Sequence, residues 1–135
     1  MRDSTNSAID LYQETQVCGS AMYADPHALI TQMFDGALTR IAQAKGAISR
    51  GDVAAKAELI SKAVSIVGGL EGCINHKAGG ELADNLSNLY QYMSITLAEA
   101  NIHDDIAKLN EVSKLLLEIK SAWEQIPQYT QQASA

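Results

Sequence analysis

The sequence predicts an all-α fold: an antiparallel up-down four-helix bundle of long helices with a short additional N-terminal helix. Hydrophobic residues make up 47% of the 135 residues but aromatic residues only 5%, and the abundant alanine favours helices over strands. Four long stretches repeat apolar residues at alternating steps of three and four, which is the period of an amphipathic helix. Because only short turns separate these stretches, consecutive helices must run antiparallel.

The first segment is expected to be a short helix laid across the bundle. Ile9 and Tyr12 recur there at helical spacing, between about residues 5 and 17, with no strong cap. Asp25 and Pro26 then supply an N-cap and a first-turn proline for the first long helix. We therefore divide the chain into residues 1–24, the N-terminal helix and loop that cover the bundle, residues 25–127, the bundle, and residues 128–135, a polar tail predicted to be disordered.

The first two long helices follow from their apolar stripes and stop signals. The first is expected to run from Pro26 to about Arg50 and to stop at Gly51. Asp52 can cap the second, which is expected to close at the sequence KAGG, at about Lys77. The stripe of the first helix consists of Ile30, Phe34, Ala37, Ile41, Ala44 and Ile48, and Leu29, Met33 and Leu38 widen it.

The bounds of the last two helices follow from glycine, capping and proline signals. The third is expected to begin at the glycine pair 79–80 and to end near Ala100, with Asn101 in the left-handed C-terminal position. Residues 103–105 supply a cap and an acidic first turn for the fourth helix, which Pro127 ends. The stripe of the third helix consists of Leu82, Leu86, Leu89 and Met93.

Charge and composition limit the possible partners. A net charge of −6 gives no positive field that would attract phosphates, so binding to nucleic acid or to anionic membranes is not expected. No long apolar run is present and the N-terminus lacks a signal-peptide core, so we expect a cytosolic protein without stable membrane insertion. Cys18 and Cys73 stand far apart in unlike contexts and are expected to be free thiols. The expected partner is a protein or a small molecule.

No pattern of catalytic, metal-binding or cofactor-binding residues is found, so the protein is not expected to be an enzyme. His27, His76 and His103 each stand alone near a predicted helix end, and no two of them have the spacing of a helical metal site. Glycine-rich phosphate-binding motifs are also absent from the sequence. We therefore expect neither a metal nor a cofactor.

Two alternative functions remain open at this point. The stretch NHKAGG resembles histidine-phosphotransfer bundles, which place a lysine and a glycine shortly after the phosphorylated histidine. That histidine lies in the middle of a helix, however, whereas the following glycines put His76 at a helix end. The second alternative is a structural bundle that forms a homodimer through a spare apolar stripe.

The chain has more apolar helix surface than a bundle interior needs. A bundle helix buries about three residues per heptad, whereas the first and second long helices carry two adjacent stripes each. The surplus residues either flank the core or line a groove between helices that receives an apolar partner segment.

Two long motifs occur in order along the chain. The first is ADPHALITQMFDGALTRIAQAKGAI and the second is GGELADNLSNLYQYMSITLAEAN. Together they resemble the FliS family of bacterial flagellar secretion chaperones, whose pattern pairs L-x-x-x-[FY]-D-G-A-L with a later GGE-[LI]-A-x-N-L-x-x-L-Y-x-Y-M. The resemblance runs from about Tyr12 to Trp123. Asp25 stands where serine is commoner in the family, and Phe34 stands where tyrosine is commoner.

The resemblance implies a cytosolic export chaperone. Such a protein binds the C-terminal segment of newly made flagellin, prevents its premature polymerisation, and delivers it to FlhA, a component of the flagellar type III export gate. In the family the flagellin tail wraps around the bundle in partly extended and partly helical form. The N-terminal segment covers part of the same surface, and Tyr12 matches the tyrosine of that segment. The free protein could also form a homodimer.

The candidate flagellin-binding residues combine the first long helix with the third. Tyr12 is expected to act as a movable cover. Asn85 and Asn101 could clamp an extended peptide backbone or could cap and satisfy a turn, and both interpretations remain open. The apolar candidates are Leu29, Met33, Leu38, Leu82, Leu86, Leu89, Tyr90 and Met93.

Overall fold

Four α-helices make up the part of the chain that the computed structural model describes, residues 26–125. They are α1 (Pro26–Arg50), α2 (Val53–Gly72), α3 (His76–His103) and α4 (Ile106–Glu124), and residues 26–125 contain no strand. The all-α prediction is confirmed. The expected N-terminal helix, the polar tail and the proposed boundaries after residues 24 and 127 lie outside the described residues.

The four helices form a ring in which each packs against the next and α4 packs against α1. Hydrogen bonds between neighbours show that they run antiparallel. Glu71, near the end of α2, accepts from Ser87 near the start of α3, whereas Lys56, near the start of α2, donates to the carbonyl oxygen of Asn101 near the end of α3. In this ring α1 lies diagonally opposite α3.

The core contains the stripe that the sequence predicts for the first long helix. Ile30, Phe34, Ala37, Ile41 and Ala44 are fully buried, while Ile48 is half-buried against the same cluster. Helices α1 and α2 approach closely because α2 has a glycine at the contact: a Cβ at Gly69 would lie 2.9 Å from the Cε of Met33. The remaining core residues are Ile60, Ala63, Val67, Leu70, Cys73, Ile74, Ala83, Tyr90, Met93, Leu97, Ala100, Leu109, Val112, Leu116 and Trp123.

The junction between α2 and α3 differs from the prediction. Helix α2 ends at Gly72 and not at Lys77. Asn75 is the reason, because its side-chain oxygen accepts the backbone N–H groups of Lys77 and Ala78 and so caps a new helix at residue 76. Gly80, expected to stop the previous helix, instead makes a kink inside α3 with φ 53° and ψ −125°.

The end of α3 also differs from the prediction. Asn101 lies within the helix, and Asp104 takes the left-handed position with φ 52°. Lys56 stabilises this end by donating to the Asp104 carboxylate and, at 2.8 Å, to the Asn101 carbonyl oxygen. The acidic cap of the last helix is confirmed, because the Asp105 side chain accepts from the N–H of Lys108.

The start of α1 and the end of α4 are joined through His27 and Trp123. Their rings stack with centroids 4.7 Å apart, and the Trp123 indole N–H donates to the His27 carbonyl oxygen at 3.4 Å. Both ends of the described chain therefore lie at one end of the bundle.

Cys73, which is fully buried, is disulfide-bonded, so the expectation of a free thiol is wrong at this position. The same expectation for Cys18 lies outside the described residues.

Candidate partner-binding site

Exposed apolar side chains on one side of α3 form the first part of the candidate site. Leu82 is 48% exposed, Leu89 37% and Tyr92 46%, and Leu86 between them is half-buried. Such residues are normally scattered singly on a protein surface, whereas these follow one another along a single helix.

The stripe Leu82, Leu86, Leu89 and Met93 lies on one face of α3, because its members follow at steps of four, three and four. Leu82 is 48% exposed and Leu89 37%, Leu86 between them is half-buried, and Met93 is fully buried. The stripe is therefore partly open to solvent as far as Leu89, while its end belongs to the core.

Helix α4 lies beside this face of α3. The Tyr92 hydroxyl donates to the Glu111 carboxylate, and Glu99 of α3 pairs with Lys108 of α4. Because the two helices run antiparallel, residues after Glu111 lie opposite residues before Tyr92. Leu115 and Ile119 are half-buried there. We call this surface, formed by Leu82, Leu86, Leu89, Leu115 and Ile119, the α3–α4 groove.

The predicted site residues of α1 lie elsewhere. Leu29, Met33 and Leu38 are all half-buried, and Met33 contacts α2 at Gly69. Since α1 is diagonally opposite α3, no single groove between two helices contains both sets. The structure thus brings together the α3 candidates and separates them from the α1 candidates.

The remaining predicted residues fall into three groups. Tyr90 and Met93 are fully buried, so we assign them to the core and not to the partner-binding surface. Asn85 is exposed beside Leu82 and Leu86, whereas Asn101 is half-buried and its carbonyl oxygen accepts from Lys56. Tyr12 lies outside the described residues.

A second apolar surface, which was not predicted from the sequence, lies on the other flank of α3. Ile95 is 61% exposed and Ile102 73%, and Val53 at the adjacent start of α2 is 66% exposed. The spacing of seven between Ile95 and Ile102 places them on one face, about a third of a turn from Leu89. That spacing was visible in the sequence, but it indicates only a shared face and not its exposure.

An open cavity of about 550 Å³ lies on α4, and its lining shares none of the five residues that define the groove. Among the described residues that line it, Leu117, which is 53% exposed, is the only large apolar one. The cavity is lined by Asn110, Ser113, Lys114, Leu117, Glu118 and Ser121.

Ion pairs and hydrogen bonds at the groove and its surroundings raise three pKa values. Donation of the Tyr92 hydroxyl to Glu111 raises the tyrosine pKa above its ordinary value. The hydrogen bond to Glu99 raises the pKa of Lys108, and the hydrogen bond to Asp35 raises the pKa of Lys120. All three groups are protonated at neutral pH in any case, and the raised pKa values move their loss of a proton further into the alkaline range.

The histidine of the phosphotransfer alternative is the first residue of α3. His76 is exposed, and its Nδ1 lies 3.2 Å from a carboxylate oxygen of Asp84. Within residues 26–125, no group of His, Cys, Asp and Glu has a metal-binding arrangement. In the same range, no helix is both long and apolar enough to cross a bilayer.

Comparison with known proteins gives consistent matches over nearly the whole chain. The family model described as "Flagellar protein FliS" matches residues 5–130. "Flagellar secretion chaperone FliSB" of Pseudomonas aeruginosa is 45% identical over 119 residues, 88% of this chain and 94% of the relative. "Flagellar secretion chaperone FliS" of Salmonella typhimurium is 42% identical over 123 residues, 90% of this chain and 91% of the relative. The protein of that name in Vibrio cholerae is 34% identical over 120 residues, 89% of this chain and 88% of the relative.

Proposed function

This chain belongs to the FliS family of flagellar proteins, and on that premise we propose that it binds the C-terminal segment of newly made flagellin in the α3–α4 groove. The protein holds this segment in the cytosol and so prevents premature polymerisation. It then delivers the cargo to FlhA at the flagellar type III export gate. The observation that carries the proposal is the exposure of Leu82 and Leu89 on an α3 stripe whose continuation at Met93 is core.

The groove suits a segment that is disordered before assembly and amphipathic when ordered. Full burial of an exposed leucine contributes about 1.5–3 kcal/mol. Covering the exposed fractions of Leu82 and Leu89 therefore contributes about 1–3 kcal/mol together. Ordering the cargo chain opposes this gain, so the complex remains reversible. Competing contacts at the export gate can then release the cargo without a nucleotide.

The other predicted contact residues that lie at the surface are also expected to contact the cargo. Asn85 borders the groove and can bond to a cargo backbone group. Leu29, Met33 and Leu38 offer half-buried apolar surface to a different part of a cargo that wraps around the bundle. Asn101 and Tyr12 remain predicted contacts, and homodimerisation of the free protein remains a prediction.

Titration of the full-length protein with a peptide of the last forty or so residues of flagellin tests the proposal. We expect one peptide to bind per chain, with the thermal midpoint rising as peptide is added. Ligand at about 100 times its Kd stabilises the folded state by about 2.7 kcal/mol. Light scattering of the free protein and of the complex gives the oligomeric state in the same experiment. A thermal midpoint and elution volume that stay unchanged well above micromolar peptide would contradict the proposal.

A further inference from the structure

Charge is distributed unevenly along the bundle. Residues 26–38, 63–89 and 115–125 form the half that contains the open groove, and they carry six carboxylates and two lysines, a net charge of −4. Residues 39–62 and 90–114 form the opposite half and carry six carboxylates and seven lysines or arginines, a net charge of +1. We call the first the acidic half.

In the acidic half, lysine forms ion pairs with only two of the six carboxylates, and a third, Asp84, lies beside His76. Lys120 pairs with Asp35 at 2.7 Å and with Glu124 at 3.7 Å. Glu71 is bonded only to uncharged groups, since Ser87 and Gln91 donate to it at 2.7 Å. None of the ion pairs between described residues includes Glu81 or Glu118.

Glu81 and Glu118 stand on the two sides of the groove. Glu81 directly precedes Leu82 on α3, and it is exposed. Glu118 is also exposed and follows Glu111 by seven residues, so it lies on the same face of α4, further toward the open end. The apolar residues of the groove are thus flanked by one carboxylate from each helix.

We propose, resting on the proposed function, that the α3–α4 groove selects an amphipathic helical cargo segment whose flanks carry lysine or arginine. The apolar residues of that segment, spaced at i, i+4 and i+7, cover Leu82, Leu86 and Leu89. Its cations lie beside Glu81 and Glu118. Because the opposite half of the bundle has a net charge of +1, the same field orients the segment with its most basic end toward Leu82.

This electrostatic contribution acts mainly on the rate of association. Opposite charges steer the encounter of two partners, and salt screens the effect over about 10 Å at 0.1 M ionic strength. Exposed carboxylates contribute little to the lifetime of the complex, which depends on apolar burial. The proposal therefore predicts a change in association rate that high salt removes.

Two synthetic peptides with identical leucine spacing, one flanked by lysines and the other by glutamates, test this inference by stopped-flow fluorescence with the full chain. The lysine peptide is expected to associate about tenfold faster at low salt, with the difference largely lost at 0.5 M salt. Glu81→Lys/Glu118→Lys should slow its association by about the same factor.

The matched control compares single variants: Glu58→Lys changes the net charge as much as Glu81→Lys does but lies in the opposite half, and it should alter the rate by no more than about twofold. Equal rates for the two peptides, or equal effects of Glu58→Lys and Glu81→Lys, would overturn the inference while leaving the proposed function intact. Absence of binding by the flagellin C-terminal peptide as well would instead contradict the proposed function.

Discussion

Tyr92 connects α3 to α4 at the point where the apolar stripe passes from the surface into the core. Its hydroxyl donates to Glu111, and this bond raises the tyrosine pKa above its ordinary value near 10. The protonated form is favoured in the folded state, so the contribution to stability is complete below pH 10. It is lost as the pH rises through the folded-state pKa.

We predict that, as the pH rises above about 10, the free energy of unfolding falls more steeply in the unmodified protein than in Tyr92→Phe. Urea unfolding at a series of pH values measures it. Lys108 and Lys120 also have raised pKa values and titrate in the same alkaline range, but both remain in the variant, so they cancel in the comparison. Parallel curves for the two proteins would show that the hydrogen bond to Glu111 does not raise the pKa of Tyr92.

At the scale of the helices, Gly80 allows α3 to continue through a kink at a position where the sequence predicted the end of a helix. Its φ of 53° with ψ of −125° is open to glycine but strained for any other residue. No heavy atom lies within 4 Å of a Cβ built at this position, so a substitution meets only the backbone strain. Gly68, inside α2, has the same open space but ordinary helical geometry.

Gly80→Ala should therefore lower the free energy of unfolding by about 1–3 kcal/mol. Gly68→Ala should raise it by about 0.5–1 kcal/mol, because alanine is the better helix former. Urea denaturation of the two variants beside the unmodified protein gives both values. If Gly80→Ala proved as stable as Gly68→Ala, the kink would not be a fixed feature of the fold.

The sequence predicted the helices well, because apolar spacing reflects burial along a whole helix. The stripe of α1 from Ile30 to Ala44 is the clearest case, since every predicted member is fully buried. The junction at residues 72–80 was predicted less well. There Asn75 and the glycines offer competing start and stop signals of similar strength, and the choice depends on tertiary contacts of Cys73 and Ile74, which are buried.

At the scale of the whole molecule, the site was only partly predictable. Periodicity placed Leu82, Leu86, Leu89 and Met93 on one face, but exposure along that face depends on how far α4 covers it. The helix order around the ring also separates the α1 candidates from those on α3. Spacing shows that two side chains share a face but not whether another helix covers that face. It therefore could not distinguish the exposed residues Ile95 and Ile102 from core residues.

The central claim is that cargo binds the Leu82 flank of α3 and not the Ile95 flank. Leu82→Glu/Leu89→Glu and Ile95→Glu/Ile102→Glu each replace two exposed side chains of α3 and add the same charge. Isothermal titration with the flagellin C-terminal peptide compares them, after circular dichroism has shown that both are folded. Leu82→Glu alone, at the more exposed position, serves if the first double variant does not fold.

We predict that the Leu82 and Leu89 variant binds about 30-fold to 1,000-fold more weakly than the unmodified protein, the equivalent of about 2–4 kcal/mol. The Ile95 and Ile102 variant should bind within about threefold of the unmodified protein. Full-strength binding by folded Leu82→Glu/Leu89→Glu, or a large loss confined to Ile95→Glu/Ile102→Glu, would contradict the account.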